Sequence, residues 1–412
     1  MDGSPDNKAR AADTPCGIAT LSIAELEADP HGVFRRWRLA APFVRHESGG
    51  YLVLRAAAVE LLLRDPRARQ SETEYPKMRG ITEGPLFDGF EHGMVTANDA
   101  AHRRRRSPFS RLFSLRLIME LRRRIRASAE ALIDGWLAEG EADFVERFAS
   151  PFPARIISDL LGLPEADIPR FTRLVYIVTR AFGFGFQPED LPEMQEAAGE
   201  LREYVADLLS RRRAAPKDDF LSSYLAEADR RNELSPIEII MQIVVLIVGG
   251  TDTTRVALAI EIALLLQHRG QWDAVRRDAA LVSDAVSEAL RYEPSVASAT
   301  RHTVEDIEIE GRVLPAGSFV MLSTMSALRD ERVYARADEF DIRRTDHPRP
   351  HPVFGGGPHR CLGEALARAE LEKGLSALVT RLPGLRLAGE PPTLSGHSGI
   401  RRIGPMRVAW MR

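Results

Sequence analysis

The sequence predicts a mainly α-helical protein with small β-sheets. Over long segments apolar residues recur every three or four positions, which is the period of an amphipathic helix. Segments with the alternating pattern of a strand are few and short. Because no fixed-period repeat and no low-complexity linker divides the chain, residues 21–412 are expected to form one domain that follows a disordered tail, residues 1–20.

The individual elements follow from the same patterns. Helices are predicted at residues 111–137, 156–161, 193–213, 236–268, 279–292 and 362–381. Strands are predicted at residues 43–45, 51–54, 307–313 and 319–322, the last two being joined by a turn at residues 314–317. This pattern is typical of a helical protein whose small sheets lie at its periphery.

Composition and charge exclude several classes of protein. The chain is 44% hydrophobic and 28% charged, as expected of a folded globular protein. A formal net charge of -3 gives no electrostatic reason to expect a nucleic-acid partner. Cys16 and Cys361 are the 2 cysteines and lie far apart, so no disulfide framework is expected and a reducing cytoplasm fits. We also expect the protein to be a monomer.

No targeting or membrane segment is expected. Residues 1–16 lack the basic and apolar regions of a signal peptide. The most apolar segment, residues 237–248, is shorter than the roughly 20 residues that span a bilayer, and it contains Glu238 and Gln242. We therefore expect a cytoplasmic protein without a membrane anchor.

The longest predicted helix begins at Pro236. Ser235 is a good N-cap, Glu238 completes a capping box, and Gly270 is expected to end the helix. Inside it, residues 249–254 read Gly-Gly-Thr-Asp-Thr-Thr, poor helix formers that cost up to roughly 1 kcal/mol each relative to alanine. Taken alone, the segment leaves two interpretations open: the glycines let a flat ligand lie against the backbone, or they mark a kink or a close helix crossing.

The most specific sequence motif in the chain is residues 354–363, Phe-Gly-Gly-Gly-Pro-His-Arg-Cys-Leu-Gly. They lead into a helix predicted to begin near Leu362. A cysteine at a helix N-terminus lies beside free N–H groups and the positive end of the helix dipole, which lowers its pKa and favours the thiolate. The glycines permit a tight loop whose amides point at the sulfur. Such a thiolate is a nucleophile, a redox centre or a metal ligand, and a buried inert cysteine remains the alternative.

This loop resembles the haem-binding signature of the cytochrome P450 family, in which Phe, Gly, Cys and Gly recur at fixed offsets, here Phe354, Gly357, Cys361 and Gly363. The resemblance implies that Cys361 is the axial thiolate ligand of haem b, that Phe354 packs beside the iron–sulfur pair and that His359 reaches a haem propionate. It covers nearly the whole chain. It implies the cytochrome P450 fold, a triangular helical prism with the haem between the long central helix and the helix after the cysteine loop.

A second motif of the family is a glutamate and an arginine three residues apart. Glu288 and Arg291 share a helical face and can form an ion pair. In the family this pair binds a second arginine in the segment before the cysteine loop. Arg344 holds that position within residues 340–344, where Ile342 replaces the usual proline. The resemblance implies a structural role for the three charged residues.

Residues 249–254 resemble the oxygen-binding segment of the family. Gly249 is a permitted variant at the position that lies against the haem, Asp252 occupies the acid position and Thr253 the alcohol position. Cleavage of the O–O bond of dioxygen needs two protons. A carboxylate that reaches bulk water, next to a hydroxyl that holds a water, is a proton relay. Electron donation by the thiolate favours the same cleavage.

Basic residues resemble the haem-propionate ligands of the family. His102 and Arg106 lie four apart on one helical face, and Arg301 matches a further propionate ligand. Arg103 and Arg105 are interpreted either as solvated or as a docking surface for an acidic ferredoxin. The arginine runs at residues 122–124 and 211–213 are interpreted as solvated helix surface.

The segments that frame substrate in the family are apolar here, which suggests an apolar small organic substrate. The expected lining residues are Phe87, Val95, Phe182, Val245, Val248, Gly249, Val296 and Ala297. Residues 182–186, Phe-Gly-Phe-Gly-Phe, are either ordinary packing or a mobile lid. Whether Lys77, Arg79 or Ser298 anchors a polar group of the substrate stays open, because one fold hosts many specificities.

The leading hypothesis is a monooxygenase that inserts one atom of dioxygen by hydroxylation or dealkylation. No flavin or iron–sulfur segment is evident, so a separate 2Fe-2S ferredoxin and ferredoxin reductase are expected to supply electrons. The alternatives are a peroxygenase driven by hydrogen peroxide and a haem-binding protein that does not catalyse, and the Asp252–Thr253 pair disfavours both. A non-haem cysteine hydrolase would need a general base aimed at Cys361.

Overall fold

Helices dominate the protein, as the apolar periodicity predicted. The computed structural model describes residues 17–113, 115–348 and 351–411. Most of the expected disordered tail, including Cys16, lies outside these residues, and Thr20–Leu21 forms the first strand. The helices are α1 (Ile23–Ala28), α2 (Pro30–Ala40), α3 (Ala56–Leu62), α4 (Glu74–Met78), α5 (Pro85–His92), α6 (Asp99–Leu112), α7 (Leu115–Asp134), α8 (Pro151–Leu161), α9 (Ile168–Val178), α10 (Leu191–Ala214), α11 (Phe220–Arg231), α12 (Pro236–Gln267), α13 (Arg269–Arg277), α14 (Val282–Tyr292), α15 (Thr324–Ala327) and α16 (Glu364–Arg381).

The strands are short and form small sheets. They are β1 (Thr20–Leu21), β2 (Phe43–His46), β3 (Tyr51–Val53), β4 (Ala68–Arg69), β5 (Glu141–Asp143), β6 (Ser298–Thr303), β7 (Ile307–Ile309), β8 (Arg312–Leu314), β9 (Phe319–Ser323), β10 (Arg386–Leu387), β11 (Leu394–Ser395), β12 (Arg402–Ile403) and β13 (Arg407–Ala409). The largest sheet has the order β1-β2-β3-β9-β6-β4, with parallel pairs β1–β2 and β3–β9. A second sheet has the order β10-β13-β5, and β7–β8 and β11–β12 are hairpins.

Two predicted elements are divided in the structure. The helix predicted at residues 111–137 is replaced by the end of α6 and by α7, because Phe113 leaves the helical conformation with ψ 60°. The strand predicted at residues 307–313 is the hairpin β7–β8. Its turn contains Glu310 and Gly311 with φ of 51° and 74°, the left-handed conformation that such a tight turn requires.

Helix α12 is the core of the molecule. Ser235 accepts from the N–H of Glu238 and the predicted capping box is present. At 1.5 Å per residue the helix is about 48 Å long. Its predicted stop is wrong, because α12 ends at Gln267 and Gly270 lies inside α13. His268 breaks the helix with φ -106° and ψ 63°.

The apolar length of α12 exceeds what residues 237–248 suggested. By length and composition alone the helix would qualify as a membrane span, but 72% of its most apolar window is buried inside the protein. It packs against α5, α8, α9, α10, α14 and α16. Gly374 lets α16 approach closely, since a Cβ there would lie 3.3 Å from Leu258 Cδ1. The loop that precedes α16 is thereby held beside the central helix.

Candidate active site

The cysteine loop is built by glycines in unusual conformations. Gly355 and Gly357 have φ of 71° and 61°, and a Cβ at Gly357 would lie 2.7 Å from the carbonyl oxygen of Leu63. Another residue at position 357 would therefore be strained and would collide with the backbone after α3. The loop closes on itself where the N–H of Cys361 donates to the carbonyl of Phe354 at 2.9 Å.

The residue Cys361 is exposed to solvent, but protein atoms surround its sulfur closely. Burial raises the pKa of the Cys361 thiol above its usual value, although the N–H of Gly363 donates to the sulfur and opposes the effect. The helix end alone therefore does not lower the pKa of this thiol. Desolvation is a tertiary effect, and it outweighs the helix end. A metal ion that coordinates a thiol deprotonates it even when burial has raised the pKa of the thiol.

The two adjacent glycines of α12 serve different purposes. Gly250 is a close helix crossing, because a Cβ there would lie 2.4 Å from Ile157 Cδ1 on α8. Gly249 is exposed in the middle of the core helix, and a Cβ there would meet nothing within 4 Å. The close helix crossing is thus confirmed for Gly250, and a flat ligand against Gly249 stays a prediction. An open face on a buried helix is what a flat ligand lying against the backbone needs.

Asp252 and Thr253 of α12 each contact another group of the protein. Thr253 Oγ1 donates to the carbonyl of Gly249 at 2.6 Å. Asp252 is buried and pairs with Arg255, whose Nη2 lies 2.7 Å from Asp252 Oδ1. The guanidinium of Arg255 stacks on the ring of Tyr176 in α9, 4.3 Å from its centroid. The side chain of Arg255 is 14% exposed, so the carboxylate is connected to the edge of the solvent.

The residues expected to bind the haem propionates form one group. The rings of His102 and His359 lie 4.0 Å apart, and the charges of Arg106 and Arg301 act on His359. Arg106 Nη2 donates to the carbonyl of Arg360 at 2.6 Å. The structure therefore brings α6, β6 and the cysteine loop together at this point.

This basic group contains no anion of its own. Burial lowers the pKa of His102 to about 4, of His359 to about 3 and of Arg301 to about 10. The Nε2 atom of His102 is buried and finds no hydrogen-bond partner in the described part of the chain. Arg106 and Arg301 donate to backbone carbonyls, and within residues 17–113, 115–348 and 351–411 neither is paired with a carboxylate. A ligand with two carboxylates, such as haem, fits this group.

Glu288 joins helix α14 to the segment that leads to the cysteine loop. It pairs with Arg291 at 2.7 Å and with Arg344 at 3.3 Å, and it accepts from the N–H of Asp341 at 2.9 Å. Arg291 is fully buried and also donates to the carbonyl of Ala337 at 2.7 Å. The three charged residues predicted from the motif are thus in contact.

The expected pocket residues come from several elements. Phe87, Val248 and Ala297 are buried, Val245, Phe182 and Val296 are partly buried, and Val95 is 52% exposed. The segment before Val95 is close to α12, since Gln242 Nε2 donates to the carbonyl of His92 at 2.8 Å. Sequence reasoning missed the β11–β12 loop, where Ile400 bridges Val296. Its turn residues carry no chemical signal that would have identified it.

The aromatic segment at residues 182–186 is packed. Phe184 and Phe186 are buried, and Arg79 donates to the carbonyl of Phe186 at 3.0 Å with its guanidinium over both rings. The guanidinium of Arg79 therefore binds this segment. Lys77 lies over the ring of Phe87, and Ser298 is buried beside the N–H of Gly399.

Some of the expected surface arginines are buried. Arg105 pairs with Glu238 at 2.8 Å, so the interpretation of Arg105 as solvated or as a docking residue is wrong. Arg212, which pairs with Asp219, is also buried. Arg103 is exposed. Sequence alone does not show which residue of an arginine run faces a carboxylate on another helix.

Comparison with known proteins shows the family to which the chain belongs. The chain matches the family model described as Cytochrome P450 over residues 68–383. Cytochrome P450-pinF1, plant-inducible, from Rhizobium radiobacter is 43% identical over 388 residues, which cover 94% of this chain and 92% of that protein. Cytochrome P450 monooxygenase PikC from Streptomyces venezuelae is 33% identical over 402 residues, covering 94% and 92%. The crystal structure of the myxobacterial cytochrome P450 CYP267B1 in complex with myristic acid is 32% identical, with a TM-score of 0.86 and coverage of 94% and 98%.

The chain therefore belongs to the cytochrome P450 family. Members of the family bind haem through a cysteine thiolate, and this protein is accordingly a haem-containing oxidoreductase of the monooxygenase class. The predicted mainly helical cytochrome P450 fold is confirmed.

Proposed function

We propose that the protein inserts one atom of dioxygen into a small, apolar organic substrate, by hydroxylation or dealkylation. The observation that carries the proposal is the arrangement on α12. There the open face at Gly249 adjoins a hydroxyl and a carboxylate that are both held in place. Bound haem supplies the iron at which dioxygen is activated. The remaining chemistry belongs to side chains of the chain itself.

Cys361 would ligate the haem iron, and the basic group would hold the propionates. Arg106 and Arg301 supply charge, while His102 and His359 supply ring N–H donors. Carboxylates placed here would raise the lowered pKa values of all four side chains, because opposite charges favour the protonated forms. The guanidinium of Arg368 lies 5.2 Å from the ring centroid of Phe354. This contact joins the start of the cysteine loop to helix α16, which follows it.

Asp252 and Thr253 are the proposed proton relay. Thr253 donates its hydroxyl proton to the carbonyl of Gly249, so the Thr253 oxygen can still accept a hydrogen bond. Asp252 exchanges protons with solvent at the partly exposed edge marked by Arg255, and it passes them inward. An enzyme driven by hydrogen peroxide does not need this relay, which favours dioxygen as the oxidant.

The lining favours a neutral, apolar substrate. Phe87, Val245, Val248 and Ala297 present hydrocarbon, and Arg79 is engaged by the Phe184–Phe186 backbone and rings rather than held free for a carboxylate. CYP267B1 was crystallised with myristic acid, a mostly apolar molecule, and it shares this fold. Long hydrocarbon chains are therefore suitable first compounds for a screen.

A separate 2Fe-2S ferredoxin with its reductase is the proposed electron donor, in a cytoplasmic, monomeric enzyme. Arg103 is exposed on α6, three residues before Arg106, which contacts the cysteine loop. An acidic partner docked over Arg103 would be close to the sulfur side of the haem. The Arg103→Glu variant should reduce turnover with ferredoxin several-fold and leave turnover with peroxide unchanged. Arg213→Glu, an exposed arginine on α10, is the control.

The proposed function is tested with compounds that displace water from the iron and so shift its spin state. Each such compound is incubated with the protein, a ferredoxin, its reductase and isotopically labelled dioxygen. The proposal expects one labelled oxygen atom in the product. Product formed only with peroxide would show a peroxygenase, and binding without oxidation under any donor would show a haem-binding protein that does not catalyse.

A further inference from the structure

His46 and His397 form a buried imidazole pair outside the candidate active site. His46 ends β2, and His397 lies in the loop between β11 and β12. Both residues are 2% exposed, and their Nε2 atoms are 2.9 Å apart. At this distance one nitrogen donates a proton and the other accepts it.

The hydrogen bonds around the pair determine which nitrogen carries each proton. The N–H of Ser48 donates to His46 Nδ1 at 3.2 Å, so the proton of a neutral His46 is on Nε2. His46 then donates to Nε2 of His397, whose own proton is on Nδ1. His397 Nδ1 lies 2.6 Å from Glu27 Oε1 and donates to it. An unbroken chain of hydrogen bonds therefore runs from β2 to α1.

The arrangement does not suit a metal ion. Two imidazole nitrogens at about 2.0–2.1 Å from a tetrahedral zinc ion would be about 3.3 Å apart, and further ligands would face them. Here the nitrogens are closer, and Ser48 and Glu27 occupy the opposite side of each ring. The only group of potential metal ligands found among the described residues lies elsewhere, on α5. A shared proton explains the geometry better.

The loop that carries His397, residues 396–400, contacts two walls of the proposed pocket. The carbonyl of Gly399 accepts from the N–H of Ala297 at 2.7 Å. Ser398 Oγ accepts from the N–H of Phe184 at 3.1 Å. A Cβ at Gly399 would lie 2.0 Å from the carbonyl oxygen of Phe182, so the loop fits closely against that segment.

We propose that His46 and His397 are positioning residues for the pocket wall. The neutral pair holds loop 396–400 against Phe184 and Ala297, and protonation releases the loop, so that the pocket opens more often as the pH falls. The role of the loop in the pocket rests on the proposed function. The state of the histidine pair does not.

The size of the effect follows from His46. Burial, and then the nearby His397, lower the pKa of His46 to about 4 in the closed protein. In an open state His46 is solvated and titrates near 6.5. The closed state therefore binds fewer protons than the open state below about pH 6.5, and acid favours opening. From about pH 7.5 to about pH 5.5 the opening equilibrium should rise about tenfold.

Other charged groups surround the pair. Glu27 on α1 bonds to His397, and Glu47 after β2 binds the N–H of Ile23. Arg79 lies over Phe184, whose ring is 5.5 Å from His46, and Arg402 on β12 donates to the carbonyl of Gly185. The variants used in the test leave all four in place, so a change in pH dependence is attributable to the histidines.

The test measures hydrogen exchange of the haem-loaded protein at the amides of Phe184 and Ala297, corrected for the intrinsic rate at each pH. The wild type should show the tenfold rise in opening. His46→Phe and His397→Phe should open more at about pH 7.5, and His46→Phe should lose the pH dependence. His302→Phe, on β6, is the control and should behave as the wild type. An unchanged pH dependence in His46→Phe would overturn the proposal.

Two further measurements remain decisive if a variant does not fold. Nitrogen NMR of the wild type at about pH 7.5 should show neutral rings with the protons on His46 Nε2 and His397 Nδ1, and a cationic ring would refute the pair. The rate at which an azole binds the haem iron should follow the measured opening. If exchange responds to pH and azole binding does not, the positioning role is refuted, whatever the enzyme oxidises.

Discussion

Replacing Arg301 with methionine should stabilise the haem-free protein and weaken its hold on haem. Arg301 is 3% exposed, and its Nη1 donates to the carbonyl of Thr300 at 2.7 Å. Burial lowers its pKa to about 10, because the described residues offer it no anion. Methionine has a similar length and no charge, so it removes the buried cation with little loss of packing.

The two effects have opposite signs and comparable sizes. A fall of the Arg301 pKa to about 10 corresponds to roughly 3 kcal/mol of unfavourable free energy for the buried cation. Loss of the hydrogen bond from the charged Arg301 to Thr300 offsets about 1.5–3 kcal/mol of this, so the haem-free variant should gain up to about 1.5 kcal/mol in its free energy of unfolding. A hydrogen bond to a charged group contributes about 1.5–3 kcal/mol, so haem should dissociate about 10- to 150-fold faster.

Urea unfolding of the haem-free protein and transfer of haem to apomyoglobin measure the two quantities. Arg38→Met is the matched control. Arg38 is equally buried but pairs with Glu331 at 2.7 Å, near the buried Asp330. Its loss should cost about 3–5 kcal/mol without changing haem dissociation. A haem-free Arg301→Met protein that is less stable than the wild type, with an unchanged rate of haem loss, would refute the assignment of Arg301 to a propionate.

Four other variants test the site and the core. Thr253→Ala should divert electrons from product to released peroxide, seen as a lower ratio of product to NADH consumed; an unchanged ratio would remove Thr253 from proton delivery. Glu288→Gln leaves the fully buried Arg291 without its counter-charge, while Arg344 keeps Asp346. The variant should lower the free energy of unfolding by about 3–5 kcal/mol in urea, and a loss under about 1 kcal/mol would contradict the structural role. Gly250→Ala places a methyl group against Ile157, whereas Gly249→Ala meets open space, so the second variant should be more stable by about 1–3 kcal/mol in the haem-free protein. Equal stability of the two would refute the packing described for Gly250.

Local signals were sufficient for much of the fold. The start of α12 was predictable because Ser235 and Glu238 lie three residues apart and cap the helix by themselves. The stop was not, because His268 ends the helix through its own backbone conformation while the nearby Gly270 is accommodated in α13. The β7–β8 hairpin was missed because its turn uses Glu310 before Gly311 instead of Asn or Asp.

In the site, too, local sequence signals predicted some features, while others depend on contacts between distant segments. The spacing of the motifs predicted that Glu288 contacts Arg291 and Arg344, and the structure confirms both contacts. The sequence did not predict contacts between segments that are far apart in the chain. Arg105 is buried because Glu238 lies opposite it, and loop 396–400 is near the pocket because of how β11 and β12 dock. The raised pKa of Cys361 also depends on surrounding protein, which no local pattern reports.

The absorption spectrum of the purified protein, reduced and exposed to carbon monoxide, shows whether the thiolate of Cys361 ligates the haem iron. We expect a strongly red-shifted Soret band in the wild type, because a cysteine thiolate ligates the iron, and its loss in the Cys361→Ala variant. A Soret band of the histidine-ligated type, the absence of haem, or an unchanged red-shifted band in the variant would contradict Cys361 as the ligand.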